Sequence, residues 1–305
     1  MKSFYIVFIF QLCLHDTWSR VKLIKIKNLT QELQHYNAPL LPRKIFANKL
    51  IRYKATLRLR KTIQRIIGGQ PTDIKYHPYV AFLLQIHFPL GLDFRGGAVI
   101  IGEYWAVTAA HCFKYIDDPY IKQELAFVCG NTSNWKLGGN EHHIIKIFKH
   151  ERYNATELDY DIGLVKVKEP FNGKYEKSIK WASRNYKYVD NAHAIVLGWG
   201  STRPIHDTSI QDNLRFVAVR LVNQEECKKR YSREDTVVTS RMFCAFDKGK
   251  DACSFDSGGP LIRNKVLIGI VSWGPHSQCA HSTLPGVYTR VSIFDEPIRK
   301  KIKTK

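Results

Sequence analysis

From residue 66 onward the chain sustains almost no helical repeat. It advances in short β-branched and aromatic runs cut by Gly, Pro, Asn and Asp. The clearest runs are Tyr79 to Ile86, Gly97 to Ile101, Trp105 to Thr108, Ile162 to Val167, Ala194 to Leu197, Arg215 to Val222 and Val266 to Trp273. Several alternate apolar with polar, as strands do when successive side chains face opposite sides. Many short strands with turn residues between them predict an all-β sandwich or barrel. Only the end reads as a helix, from about Val291 to Ile302, where Phe294, Ile298 and Ile302 fall four apart among Arg299, Lys300 and Lys301. At 44% hydrophobic residues the chain can fill a core. No internal repeat and no low-complexity tract is visible.

The first 65 residues have a different character. Met1-Lys2-Ser3 carries one positive charge, and Phe4 to Leu14 is apolar except for Gln11. That run is too short for a bilayer span and fits a secretory signal peptide ending near residue 19; the alternative is a buried N-terminal strand. No other stretch is long and apolar enough for a transmembrane helix. Residues 20–65 hold 13 Lys/Arg against the single acid Glu32, a net +12 of the chain's +20; Lys2 and Asp16 cancel, so +8 remains for residues 66–305. Such a segment has few ways to fold alone. It reads as a solvated, protease-accessible propeptide, or as a contact for glycosaminoglycans or another acidic partner.

Of seven cysteines, Cys13 lies in the presumed signal, and Cys112, Cys129, Cys227, Cys244, Cys253 and Cys279 remain for an oxidising, extracellular setting. There is no CxxC pair to suggest zinc. His142 and His143 are adjacent, so on a strand they face opposite sides, and no metal or cofactor is expected. Asn28, Asn131 and Asn154 begin Asn-x-Ser/Thr glycosylation sequons. Basic and aromatic residues are not interleaved, which argues against nucleic acid as a partner.

Three segments carry chemistry in a fixed order: Thr108-Ala109-Ala110-His111-Cys112, Asp159-Tyr160-Asp161-Ile162-Gly163-Leu164 and Asp256-Ser257-Gly258-Gly259-Pro260. A serine hydroxyl becomes a nucleophile only beside a base, and that base needs a carboxylate to fix its tautomer. Histidine suits the role because its pKa lies near neutrality. The order His, Asp, Ser is not that of subtilisin or of the α/β-hydrolases, and no GxSxG elbow surrounds Ser257.

These segments resemble those of the chymotrypsin/trypsin family of serine proteases, over Ile66 to about the C-terminus. The resemblance implies two six-stranded antiparallel Greek-key barrels packed together, with a short C-terminal helix. It makes Ser257 the nucleophile, His111 the general base and acid, and Asp161 the orienting carboxylate, with Asp159 the neighbouring alternative. Arg65-Ile66-Ile67-Gly68-Gly69 resembles the family's activation junction. Cleavage after Arg65 by an activating protease would free the Ile66 ammonium to pair with Asp256. Lys250-Asp251-Ala252-Cys253 resembles the trypsin pocket, with Asp251 at its base; Ser272, Trp273, Gly274 and Gly286 resemble its walls. Substrates would be proteins or peptides cut after Arg or Lys, and protease inhibitors are expected partners. By resemblance Cys227 pairs with Cys244 and Cys253 with Cys279. Ala194 and Arg263 stand where a further family bridge would need cysteines.

Two departures stand out. The usual partner position of Cys112 is occupied by Arg95, and Cys129 is extra; a Cys112–Cys129 bond would restore even pairing, and two free thiols or a bond to another chain are the alternatives. Phe255 replaces the glycine of Gly-Asp-Ser-Gly-Gly, whose amide, with that of Ser257, forms the oxyanion hole. A side chain there hinders the inward turn that glycine allows or crowds the leaving-group side. The competing expectations are an active endopeptidase and a weak or inactive homologue that binds or regulates.

Overall fold

The computed structural model describes residues 69–303 except 88–90, 202–209, 233, 235 and 276–278. The expected signal peptide, the basic segment, Asn28, Arg65 and Ile66 lie outside the described residues. Residues 64–305 form one compact unit.

After the two-residue strand β1 (Gln70–Pro71), six strands close the first barrel: β2 (Val80–His87), β3 (Gly91–Gly102), β4 (Trp105–Thr108), β5 (Ala126–Gly130), β6 (Asn140–Lys149) and β7 (Gly163–Val167). Their order around the barrel is β2-β3-β4-β7-β6-β5, with every pairing antiparallel. Short β8 (Lys180–Trp181) leads to the second set: β9 (His193–Gly198), β10 (Arg215–Val222), β11 (Met242–Phe246), β12 (Pro260–Arg263), β13 (Val266–Trp273) and β14 (Gly286–Arg290). These run β10-β11-β14-β13-β12-β9, and β9 pairs back with β10 to close a second antiparallel barrel. The strand runs of the sequence thus fold as two closed six-stranded barrels, not an open sandwich.

Barrel interiors explain the all-apolar stretches. β2 is buried over its first six residues, Val80 to Gln85. Buried Gln85 donates its Nε2 to the Tyr115 carbonyl at 2.7 Å. Phe82 packs edge-on against Trp199 at 4.8 Å between ring centroids, which joins the first core to the second-barrel segment.

The helical content exceeds what periodicity suggested. Besides the expected α-helix at the end (Asp295–Lys303, α3 below), there are α1 (Asp118–Lys122) and α2 (Gln224–Tyr231). Both were hidden by weak apolar patterns: α1 buries no residue and α2 only Cys227 and Tyr231. Their signals are caps. Asp117 Oδ1 accepts from the Tyr120 amide, and Asn223 Oδ1 accepts from the amides of Glu225 and Glu226. In α3, Ile298 is buried and Arg299 bonds Asp295 one turn back at 2.7 Å.

Candidate active site

The barrels meet where their strands end. His111 lies on the 3-10 turn Ala110–Phe113 directly after β4. Asp161 stands two residues before β7, and Ser257 three before β12. The His111 turn is set close to β7 because the Phe113 ring covers Gly163: a Cβ there would stand 2.2 Å from Phe113 Cε2.

The Asp161 side chain is fully buried and accepts three hydrogen bonds. The His111 amide donates to Oδ1 at 2.9 Å, His111 Nδ1 donates to Oδ2 at 2.7 Å, and Ser272 Oγ donates to Oδ2 at 2.6 Å. Ser272 belongs to β13, and Thr289 of β14 donates its Oγ1 to the Asp161 carbonyl at 2.7 Å. The second barrel therefore holds a carboxylate of the first. The sequence placed Ser272 only on the pocket wall, and its bond to Asp161 had no motif to announce it. Asp159 turns away to Arg241 and to Thr239 Oγ1 at 2.9 Å.

Burial disfavours a charged His111. The Cys112 sulphur beside it and the Asp161 carboxylate favour one and prevail, so its pKa lies well above the ordinary value. Ser257 Oγ does not hydrogen-bond His111 in this structure; such bonds are often long without substrate and tighten when it binds.

The loop before Ser257 is a tight turn in which the Asp256 amide donates to the Cys253 carbonyl at 2.9 Å. Phe255 is its third residue, with φ +75°, the sign a type II turn demands there and one that glycine normally supplies. An L-residue in that region is strained by about 1–2 kcal/mol. Among the described residues, nothing accepts from the amides of Phe255 or Ser257. The Phe255 ring leaves toward β3 and meets Phe94 edge-on, with centroids 6.5 Å apart.

On the other side of Ser257 a cavity of about 230 Å³ is lined by Ser272, Trp273, Gly274 and Gly286, with Asp251 among its walls and Phe255 absent from them. Asp251 is buried; one carboxylate oxygen accepts from the Ala280 amide at 3.0 Å, and burial pushes its pKa up to about 7. The two glycines act differently. A Cβ on Gly286 would stand 2.6 Å from Asp251 Oδ1, whereas one on Gly274 would meet nothing within 4 Å.

Asp256 is wholly buried and accepts from the amides of Gly200 at 2.8 Å and Cys253 at 2.9 Å. Its cradle requires two glycines that sequence reasoning missed: a Cβ on Gly198 or Gly200 would lie 2.1 or 2.2 Å from its oxygens. Among the described residues no cation pairs with it, and burial raises its pKa to about 6. A carboxylate whose folded pKa is raised binds its proton more tightly folded than unfolded. Its destabilising effect is absent at acid pH and grows as pH rises from the model-peptide value near 3.8 through about 6. The uncut chain should therefore lose about 3 kcal/mol of unfolding free energy over that window through this group. Urea titrations at several pH values check it: Asp256→Asn should flatten the slope, and an unchanged slope would refute the assignment.

The cysteines divide. Cys227–Cys244 and Cys253–Cys279 are bonded, with Cα separations of 6.1 and 5.4 Å. The Cys112–Cys129 bond does not form, and both are buried free thiols. Cys112 Sγ lies 2.7 Å from where a Cβ on Gly96 would stand. Leu83 of β2 pairs with Gly96 on one side and Val128, next to Cys129, on the other. Cys112 thus lies against β3 and Cys129 stands in β5, with β2 between those strands. Arg95, in place of the usual cysteine, bonds Asp93 at 2.7 Å and lies over the Tyr115 ring.

His142 and His143 bond separate carboxylates, Glu176 at 2.9 Å and Glu169 at 3.0 Å. Of the sequons, Asn154 is exposed, while Asn131 is half-buried and accepts from the Tyr175 amide.

Two antiparallel barrels with a buried Asp–His pair between them, a serine beside two unengaged amides and a carboxylate-walled cavity define the two-barrel serine proteases. Residues 66–298 match the family model described as Trypsin, and the chain belongs to that family. It is 33% identical to trypsin epsilon of Drosophila erecta over 77% of this chain and 87% of that one. Trypsin of Simulium vittatum is 36% identical over 73% and 87%, and hypodermin-A of Hypoderma lineatum 35% over 75% and 84%. Among solved structures it superimposes on neuropsin, a serine protease expressed in the limbic system of mouse brain, with TM-score 0.67 and 26% identity over 78% of this chain and all of that one.

Proposed function

We propose that the protein is a secreted endopeptidase that cleaves after Arg or Lys and is made as a zymogen activated by cleavage after Arg65. The observation that carries the specificity is Asp251, a buried carboxylate in the wall of a cavity that opens beside Ser257. A cationic side chain entering from Ser257 meets Asp251, the one acid among the described residues of that wall, and an apolar one leaves it unpaired. Ser257 Oγ then attacks the scissile carbonyl. His111 Nε2 takes the hydroxyl proton and returns it to the departing amine. Asp161 steadies the imidazolium, and water hydrolyses the acyl-enzyme by the same route. The oxyanion is held by the amides of Phe255 and Ser257. On activation the Ile66 ammonium supplies the cation that buried Asp256 lacks, which couples cleavage to ordering of the Cys253–Ser257 turn.

The test is to cut the protein after Arg65 and offer it Arg, Lys and Phe amides and a serine-directed phosphonate. Cleavage of basic substrates with labelling of Ser257 is expected; the absence of both reactions would sink the proposal.

A second reading, a non-catalytic homologue that binds or regulates, is favoured by Phe255, an L-residue held at φ +75° beside Ser257. Phe255→Gly separates the two. With the turn already at positive φ, the substitution is expected to change kcat on a small ester by less than about tenfold. A gain of about a hundred- to a thousand-fold, the worth of one restored oxyanion donor, would favour the non-catalytic reading.

A further inference from the structure

On the first barrel, Lys146 of β6 and Lys166 of β7 are direct cross-strand partners. Like charges placed opposite each other destabilise a sheet. A third ammonium joins them from α3: Lys301 Nζ lies 4.3 Å from the centroid of the Phe148 ring, and Lys146 Nζ lies 5.3 Å from the same ring. Lys166 Nζ sits 5.6 Å from the Trp105 ring, whose centroid is 5.7 Å from that of Phe148. Three cations therefore share one pair of touching aromatic rings.

None of these three lysines forms an ion pair with a carboxylate among the described residues. Their neighbours do: Lys168 pairs with Glu124 at 2.7 Å, and Arg299 with Asp295 at 2.7 Å. The rings fix the lysine stems, so the ammonium groups are pre-arranged and an anion binding there has little side-chain order left to impose. Repulsion within about 8 Å, the screening length at physiological salt, is what such an anion would relieve.

We infer that this face binds a sulfated polysaccharide. Several separated cations suit a linear polymer with repeated sulfates better than one small anion. The rings beneath are capped by the ammonium groups, and Trp105 is buried, so they offer no wedge to a bilayer or to stacked bases. Asp161 precedes the first residue of β7, and Lys166 follows that residue by three, about 10 Å farther along the strand. A ligand on the lysines leaves the cavity at Asp251 open, so the protein can be tethered to matrix while its cleft stays accessible. The inference does not depend on hydrolysis.

The experiment uses the full chain on immobilised heparin. Lys146→Gln/Lys166→Gln/Lys301→Gln is compared with the charge-matched control Lys187→Gln/Lys229→Gln/Lys265→Gln on the second barrel. The basic segment 20–65 is common to both. The first triple should elute at clearly lower salt than the control, and its slope of log affinity against log salt should fall by about 2–3. Equal elution would overturn the site. So would an equal loss of binding to single-stranded DNA or to phosphatidylserine vesicles, which would show a general anion surface. Lys301→Gln alone, on the exposed helix, keeps the test readable if the triple misfolds; it should shift elution in the same direction, and no shift counts against the site.

Discussion

The Asp161→Asn protein, cut after Arg65, will hydrolyse an Arg amide about ten-thousand-fold more slowly than its parent while keeping its fold. The reason lies in the three donors around Asp161. Both carboxylate oxygens only accept, from the His111 amide, His111 Nδ1 and Ser272 Oγ. An asparagine must turn its NH2 toward one side. Toward the imidazole, it forces Nδ1 to accept and places the ring proton on Nε2, where the base should be empty. Toward the His111 amide, it opposes donor to donor. Single-turnover kinetics together with a melting curve check this. A rate within tenfold of the parent would show that Asp161 does not fix the tautomer, whereas a collapsed melting temperature would show that its part is structural.

Asp251→Ser is expected to lower kcat/KM on Arg and Lys substrates by about a hundred- to several-thousand-fold. Removing one member of a desolvated charge pair costs about 3–5 kcal/mol, and here the substrate supplies the other member. The same change should raise turnover after Phe or Leu relative to Arg, because an apolar side chain no longer strands a buried carboxylate. Measuring kcat/KM on matched Arg, Lys and Phe amides decides it. An unaltered Arg-to-Phe ratio would remove Asp251 from the pocket and with it the proposed specificity.

How much of this was legible depended on where the physical information resides. The strand runs were readable because apolar alternation is a local property, and the order of His111, Asp161 and Ser257 because the chemistry prescribes the residue types. The closure of each barrel was not readable from the strand pattern, since it depends on β5 returning to β2 and β12 to β9; only the family resemblance implied it, and the structure bears it out. Nor were α1 and α2, whose signals were the caps Asp117 and Asn223 and not an apolar stripe. At the site, the Ser272–Asp161 bond joins positions 111 residues apart, and no spacing rule connects them. Gly198 and Gly200 carried no sequence signal of their role, because the Asp256 carboxylate that fills the space a Cβ would need lies more than fifty residues away. Even pairing favoured a Cys112–Cys129 bond, but both cysteines are free thiols in the structure. Phe255 was correctly singled out as unusual, but its φ of +75° is set by the surrounding turn and not by its own preference.

The two barrels are wound alike. Reading β2-β3-β4-β7-β6-β5 and adding seven to each label gives β9-β10-β11-β14-β13-β12, the path of the second barrel. The protein is thus one design executed twice, with no trace of the repetition visible in its residues. One half carries His111 and Asp161. The other carries Ser257, the cavity at Asp251 and the Ser272 hydroxyl that bonds its twin's carboxylate. Under the proposed function neither half alone holds a full set of reacting groups.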